Sequence, residues 1–307
     1  MEIENEHGLS ELLDGPALVQ ASSGYTFTEG PVWVPDADCL IFSDIPTSVA
    51  YRWRAGALAT GPAPVFRQQT GSGNGMTLDQ EGRVICCEQS SRRVVRFPFD
   101  DPSAIEVIAE RYGGSRLNSP NDVVVDAAGR VYFTDPIYGL GPGGEGKEQS
   151  HNGVYRIDPD GEIVLIDDRF QQPNGLVFSP DERFLYIGDS QQLVIRRFAL
   201  QPDGSLTGGG IVSDMRKSSH SGGPDGMTMD TDGRLWTTGP GGIWVVDVDG
   251  TNLGQIPMTE QPSNVTFGGH DFSTLFITAE TSLYRIPTRV RGAVPGSRLV
   301  GSQQLVR

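Results

Sequence analysis

Residues 121–135, Asn121-Asp122-Val123-Val124-Val125-Asp126-Ala127-Ala128-Gly129-Arg130-Val131-Tyr132-Phe133-Thr134-Asp135, decide the fold. Asn121–Asp126 alternates as a strand does, Ala127-Ala128-Gly129-Arg130 is a tight turn, and Val131–Asp135 is a second strand. After a long glycine-rich loop come Gly153–Asp158, a Pro159-Asp160-Gly161 turn and Glu162–Asp167, which completes a unit of four strands.

The opening of this unit occurs six times. The other five are Glu29-Gly30-Pro31-Val32-Trp33, Asn74-Gly75-Met76-Thr77-Leu78, Asn174-Gly175-Leu176-Val177-Phe178, Asp225-Gly226-Met227-Thr228-Met229 and Asn264-Val265-Thr266-Phe267. A period of roughly 40–50 residues, each unit made of short strands, is the signature of a β-propeller. The first turn recurs at Asp79–Arg83, Ser179–Arg183 and Asp230–Arg234, and the third strand at Val94–Phe97, Val154–Ile157, Ile195–Phe198, Ile243–Val246 and Leu283–Ile286. The expected fold is all-β: a six-bladed β-propeller with four antiparallel strands per blade. A terminal strand from Ala17–Gln20 or Leu299–Leu305 closes the ring, because an open ring would expose an edge. Residues 1–307 read as a single propeller domain, with about 1–16 as an N-terminal extension.

The phase of the repeat places chemistry. If the innermost strand of each blade starts at one face, here the top, then Glu29, Asn74, Asn121, Asn174, Asp225 and Asn264 form one ring at that face. Asn-Gly and Asp-Gly are common turn dipeptides. Turn chemistry does not call for Glu at the first repeat, whereas a cation site does. Two carboxylates and several amides make an oxygen-only site suited to Ca²⁺. Zn²⁺ would recruit His or Cys, and the ring has neither; Zn²⁺, Mn²⁺ and Mg²⁺ stay open as alternatives. A second row, Asp44, Glu88, Asp135 and Asp189, ends the second strands and is expected to orient the ring amides. Repeats five and six break it with Thr238-Gly239 and Ala279-Glu280.

Pro136–Gly146 is the longest top-face loop and reads as a flap. Tyr138 on this flap, Arg116 and Asn118 just before Asn121, Asn121 itself, and His220 five residues before Asp225 form the expected substrate-binding set. No Gly-x-Ser-x-Gly elbow or phosphate loop occurs, so nucleophilic serine catalysis has no support.

Composition narrows the partners. A net charge of −15 argues against nucleic acid or an anionic membrane surface. No apolar run reaches the roughly 18 residues of a membrane span. Cys39, Cys86 and Cys87 lie in expected strands and read as buried thiols. The acidic N-terminus lacks a secretory h-region, which reads as cytoplasmic; a periplasmic or exported chain with its leader removed would look the same. The chain is expected as a monomer or homodimer acting on a small molecule.

Five stretches together resemble the gluconolactonase branch of the senescence-marker-protein/gluconolactonase/luciferin-regenerating-enzyme family. They are Phe27-Thr28-Glu29-Gly30-Pro31-Val32-Trp33, Arg116-Leu117-Asn118-Ser119-Pro120-Asn121-Asp122-Val123, Phe133-Thr134-Asp135-Pro136-Ile137-Tyr138-Gly139, Pro173-Asn174-Gly175-Leu176 and Pro224-Asp225-Gly226-Met227, within a match from about Tyr25 to Arg285. The resemblance implies one divalent cation on the propeller axis, with Glu29, Asn174 and Asp225 as ligands and Asn121 beside them. It also implies hydrolysis of sugar lactones, with other esters or organophosphates taken by some members. The expected reaction opens D-glucono-1,5-lactone, with Asp225 as base and Asn121 assisting; the roles of Asp225 and Glu29 could be exchanged. The alternatives are an organophosphate or aryl-ester hydrolase on the same site, a non-catalytic scaffold, and a strictosidine-synthase-like condensing propeller.

Overall fold

In the computed structural model, residues 6–15, 18–56 and 61–294 are described. Blade three, where the reading began, consists of Val123–Val125, Val131–Asp135, Gly153–Ile157 and Ile163–Asp167 in antiparallel order, with Val123 opposite Phe133 and Phe133 opposite Tyr155. Five further four-stranded sheets repeat this order, and the innermost strands Thr28–Val34, Gly73–Leu78, Val123–Val125, Pro173–Phe178, Met227–Met229 and Pro262–Gly268 follow one another around the ring. The fold is a six-bladed β-propeller.

Closure comes from the N-terminal side. Val19–Ser23 pairs antiparallel with Ser282–Pro287, Val19 facing Arg285 and Ser23 facing Ser282, and becomes the outermost strand of blade six. Of the two segments expected to close the ring, Ala17–Gln20 overlaps this strand at Val19 and Gln20. Ala17 itself and Leu299–Leu305 lie outside the described residues. The short helix Leu9–Leu12 precedes the closing strand, and Leu9 and Leu13 pack with Trp236, Ile243 and Ile286 between blades five and six.

The β-branched and aromatic residues of the middle strands fill the spaces between blades. Trp33 of blade one stacks on Phe276 of blade six, Tyr132 of blade three meets Phe178 of blade four edge-on, and Trp236 of blade five meets Phe267 of blade six edge-on. Burying side chains of this size contributes about 1.5–3 kcal/mol each, and aromatic pairs add roughly 0.5–1.5 kcal/mol. At the bottom, Asp79, Asp126 and Asp230 each accept backbone N–H groups from their own turn and pair with Arg83, Arg130 and Arg234. The recurrent Asp…Gly-Arg turn is therefore a structural staple, remote from the top face.

Around the axis the inner strands approach too closely for side chains. The Cα of Gly175 faces the Asp225 carbonyl oxygen, where an added Cβ would sit 2.0 Å away, and Gly175 N–H donates to that oxygen at 3.0 Å. Gly226 meets the Asn264 side chain in the same way. These glycines are blade-to-blade contacts, not turn residues.

Candidate functional site

The strand pairing explains how the ring residues reach the axis. In four blades the register of the innermost strand shifts where the ring residue sits: Glu29/Val32, Gly73/Met76, Pro173/Leu176 and Pro262/Asn264. A bulge turns a side chain that regular pleating would bury between blades. In blades three and five pairing begins only at Val123 and Met227, two residues after Asn121 and Asp225.

The chain entering these bulges is held by the second row of acids. Asp44 accepts the N–H groups of Thr26 and Phe27, Asp135 those of Asn118 and Ser119, and Asp189 those of Gln171 and Gln172, all between 2.7 and 3.2 Å. In blade five Thr238 Oγ1 takes the N–H of Asp225 at 2.8 Å. The row thus fixes backbone just ahead of the ring residues, which corrects the expectation that it orients ring amides. Glu88 departs from it: fully buried, it pairs with the buried Arg67 and the partly exposed Arg93 at 2.6 Å each.

Above the ring opens a cavity of about 520 Å³ lined by Glu29, Asn121, Asn174 and Asp225 together with Asn74, Gln89, Tyr138, Ser190 and Gln261, among others. Glu29 is only 2% exposed. Its Oε2 accepts Gly30 N–H at 2.6 Å and Asn264 Nδ2–H at 2.9 Å. Asp225 keeps contact with the cavity, and its carboxyl is within hydrogen-bond reach of Glu29 and Asn174. Asn174 Nδ2 donates to Ser190 Oγ at 2.9 Å, and Ser190 Oγ donates to Pro224 O at 2.6 Å, which fixes the amide.

The electrostatics are one-sided. Burial first, then the Asp225 and Asp122 carboxyls, push the Glu29 pKa well above the usual range. Burial and Asp122 push Asp225 up to about 7. Asp122, beneath them at the head of a smaller axial cavity of about 100 Å³, is pushed up to about 7 by burial. None of the described residues lining the upper cavity is Lys, Arg or His. Crowded carboxyls without a cationic partner, flanked by carboxamides, fit a hard divalent cation, which would relieve the repulsion. Among the described residues no three His, Cys, Asp or Glu side chains gather as a metal cluster; a full ligand set here needs the amides.

The structure brings together Glu29, Asn121, Asn174, Asp225 and Tyr138. Tyr138, itself partly exposed, reaches the cavity from the flap, with its hydroxyl near Ser190 and Asn174. The other three expected substrate residues are not on the described cavity wall. Asn118 is fully buried, and its amide donates to the Asp135 and His151 carbonyls, so it secures the chain entering blade three. Arg116 donates to Ser91 O at 3.0 Å and ends the second strand of a two-strand hairpin, Arg111–Tyr112 with Ser115–Arg116, where it faces Arg111. His220 lies on the exposed loop before Asp225, against Gly241.

Sequence reasoning missed Ile45, Gln89 and Ser190, which line the cavity. Each directly follows a second-row acid, Asp44, Glu88 or Asp189. The phase of that row could have found them.

Comparison with known proteins agrees with this geometry. A family profile described as "SMP-30/Gluconolactonase/LRE-like region" matches residues 27–281. A gluconolactonase of Zymomonas mobilis is 35% identical over 92% of this chain and 85% of its own length. The pentonolactonase XacC of Haloferax volcanii is 29% identical over 81% of this chain and 80% of its own. The solved structure of a gluconolactonase from Xanthomonas campestris superposes with a TM-score of 0.82 at 33% identity, covering 93% of this chain and 94% of that one.

Proposed function

The chain belongs to the SMP-30/gluconolactonase/LRE-like family, and on that premise we propose that it is a divalent-cation-dependent hydrolase of neutral sugar lactones such as D-glucono-1,5-lactone. The observation that carries this reading is the Glu29–Asp225 carboxyl pair, crowded and without a cationic partner at the floor of a cavity where amides and hydroxyls alternate with Phe27, Ile45 and Pro224. The lactonases named among its relatives support the substrate class.

Glu29, Asn174 and Asp225 would hold the cation, with Asn121 beside them, and the oxygen donors favour Ca²⁺. Bound there, a cation supplies an electrophile for the lactone carbonyl oxygen. Asp225 is the better placed base. Glu29 is enclosed and has one oxygen occupied by two donors, whereas Asp225 opens to the cavity and can take a proton from attacking water. Asn121 and Asn174 present amides to the lactone ring oxygens, and Tyr138 covers the site from the flap.

The test is proton release from D-glucono-1,5-lactone above its spontaneous rate. It is run in EDTA and then with Ca²⁺, Mg²⁺, Mn²⁺ or Zn²⁺ restored. Activity lost in EDTA and recovered with a cation is the expected result. Cation binding without activity on any aldonolactone would overturn the substrate assignment.

A further inference from the structure

Three primary amides face the upper cavity while almost wholly buried: Asn74 at 3%, Gln89 at 5% and Asn121 at 4% exposure. Among the described residues none of the three side-chain amides hydrogen-bonds to the protein. Their polar atoms open to the cavity rather than being sealed inside the protein, so a ligand or water in the cavity completes them. Asn121 stands next to the carboxyl pair and is accounted for there. Asn74 and Gln89 are not.

Both come from blade two, from the start of its innermost strand and the end of its second. Gln89 is held rigidly. Its N–H donates to Ser72 O at 3.1 Å, its carbonyl accepts Arg92 N–H at 3.1 Å, and flap residue Gly139 packs on it so closely that an added Cβ would lie 2.8 Å from the Gln89 Cβ. Gly139 N–H in turn donates to Ser119 Oγ at 2.7 Å, which pins the flap to the connection between blades two and three. The amide is therefore positioned by its backbone and by the flap, while its polar end is left for the cavity.

We propose that Gln89 and Asn74 form a hydroxyl-reading wall that selects cyclic polyols. A carboxamide offers a donor and an acceptor side by side, which matches two adjacent hydroxyls, one accepting and one donating. Two such amides on one wall, with no cationic side chain among the described lining residues, suit a neutral ring carrying several hydroxyls better than an acidic or apolar one. A site built to pair with hydroxyls discriminates strongly against analogues that lack them. The wall deepens the lactonase reading by naming its specificity residues, and its binding part does not depend on that reading.

The test uses the full chain with calcium. 1,5-Anhydro-D-glucitol, a ring with hydroxyls but no carbonyl, is titrated against the wild type, Gln89→Leu and Asn74→Ala. Each variant should bind it about tenfold more weakly, while Gln89→Leu keeps its melting temperature and its calcium affinity because the amide gives up no protein partner. The kcat/KM ratio for D-glucono-1,5-lactone over δ-valerolactone should fall by about the same factor, through KM. Unchanged polyol binding in Gln89→Leu, or a lowered melting temperature in that variant, would overturn the proposal. Gln89-dependent polyol binding in a protein that hydrolyses no lactone would support the wall and sink the reaction.

Discussion

Asn264, which opens the last blade, donates from Nδ2 to Oε2 of Glu29, which opens the first, at 2.9 Å across 235 positions of sequence. The contact, with the Gly30 N–H, ties up one carboxylate oxygen of Glu29. The Asn264 amide also reaches Asp122 below, so it stands between two carboxyls. Asn264→Ala should therefore weaken Ca²⁺ binding about 10–100-fold, the usual effect of removing a group that orients a ligand, as read by calorimetric titration. Calcium affinity equal to wild type would show that Glu29 is oriented by Gly30 N–H alone.

Asp225 and Glu29 should separate by experiment. Asp225→Asn keeps an oxygen donor but removes the base, and kcat should fall about 10²–10⁴-fold with a smaller loss of calcium affinity. Glu29→Gln should lose calcium affinity first and recover activity at high calcium. The reverse pattern would exchange the two roles.

Substrate charge offers a test that needs no variant. With its bound cation balanced by Glu29 and Asp225, no Lys, Arg or His among its described lining residues to pair with a phosphate, and a net charge of −15 on the chain, the cavity should disfavour anions. The kcat/KM for D-glucono-1,5-lactone should exceed that for its 6-phosphate by about tenfold or more, corresponding to at least ~1.4 kcal/mol. A preference for the phosphate would place an unseen cationic group at the mouth.

Gly175→Ala should damage both stability and site. The new methyl would meet the Asp225 carbonyl at 2.0 Å, and neither backbone can retreat without opening the ring. Overpacking costs of this kind run about 1–3 kcal/mol or more, and the displaced Asp225 should cost calcium affinity as well. Gly210→Ala on the outer strand of blade four, with nothing within 4 Å, is the control and should leave both unchanged.

Asp135 gives a pH dependence. Burial pushes its pKa up to about 7 from an ordinary value of 3.8, although the Asn118 and Ser119 N–H groups, Arg92 and Lys147 all pull it down. The folded state therefore holds a proton that the unfolded chain has released. The stability linked to this proton is fully present below about pH 4 and is lost as pH rises towards about 7. Melting temperature should fall over this window, and Asp135→Asn should fall less steeply. An equal slope in the variant would assign the dependence to other acids.

Much of the fold was legible because the repeat is chemical as well as periodic: Glu29, Asn74, Asn121, Asn174, Asp225 and Asn264 mark the top of each inner strand by residue type. Their aim was not legible. A bulge changes the partner of Glu29 or Asn174 without changing any residue that strand patterning reads. Arg116 and Asn118 looked available because they precede Asn121, yet Asp135 pulls that connection down and buries Asn118. Gln89 was overlooked because a lone Gln after an acid carries no pattern of its own. The closing strand could not be chosen because two short terminal segments read alike.

The closing strand carries a consequence for biosynthesis. Val19–Ser23 emerges from the ribosome before the rest of the propeller, but its partner Ser282–Pro287 is made only after five blades and most of the sixth. The early strand must wait, unpaired, for most of the chain. The Glu29–Asn264 contact joins the same two ends, so it cannot form in a nascent chain that still lacks its last blade. Occupation of the axial site would thus report that the ring has closed.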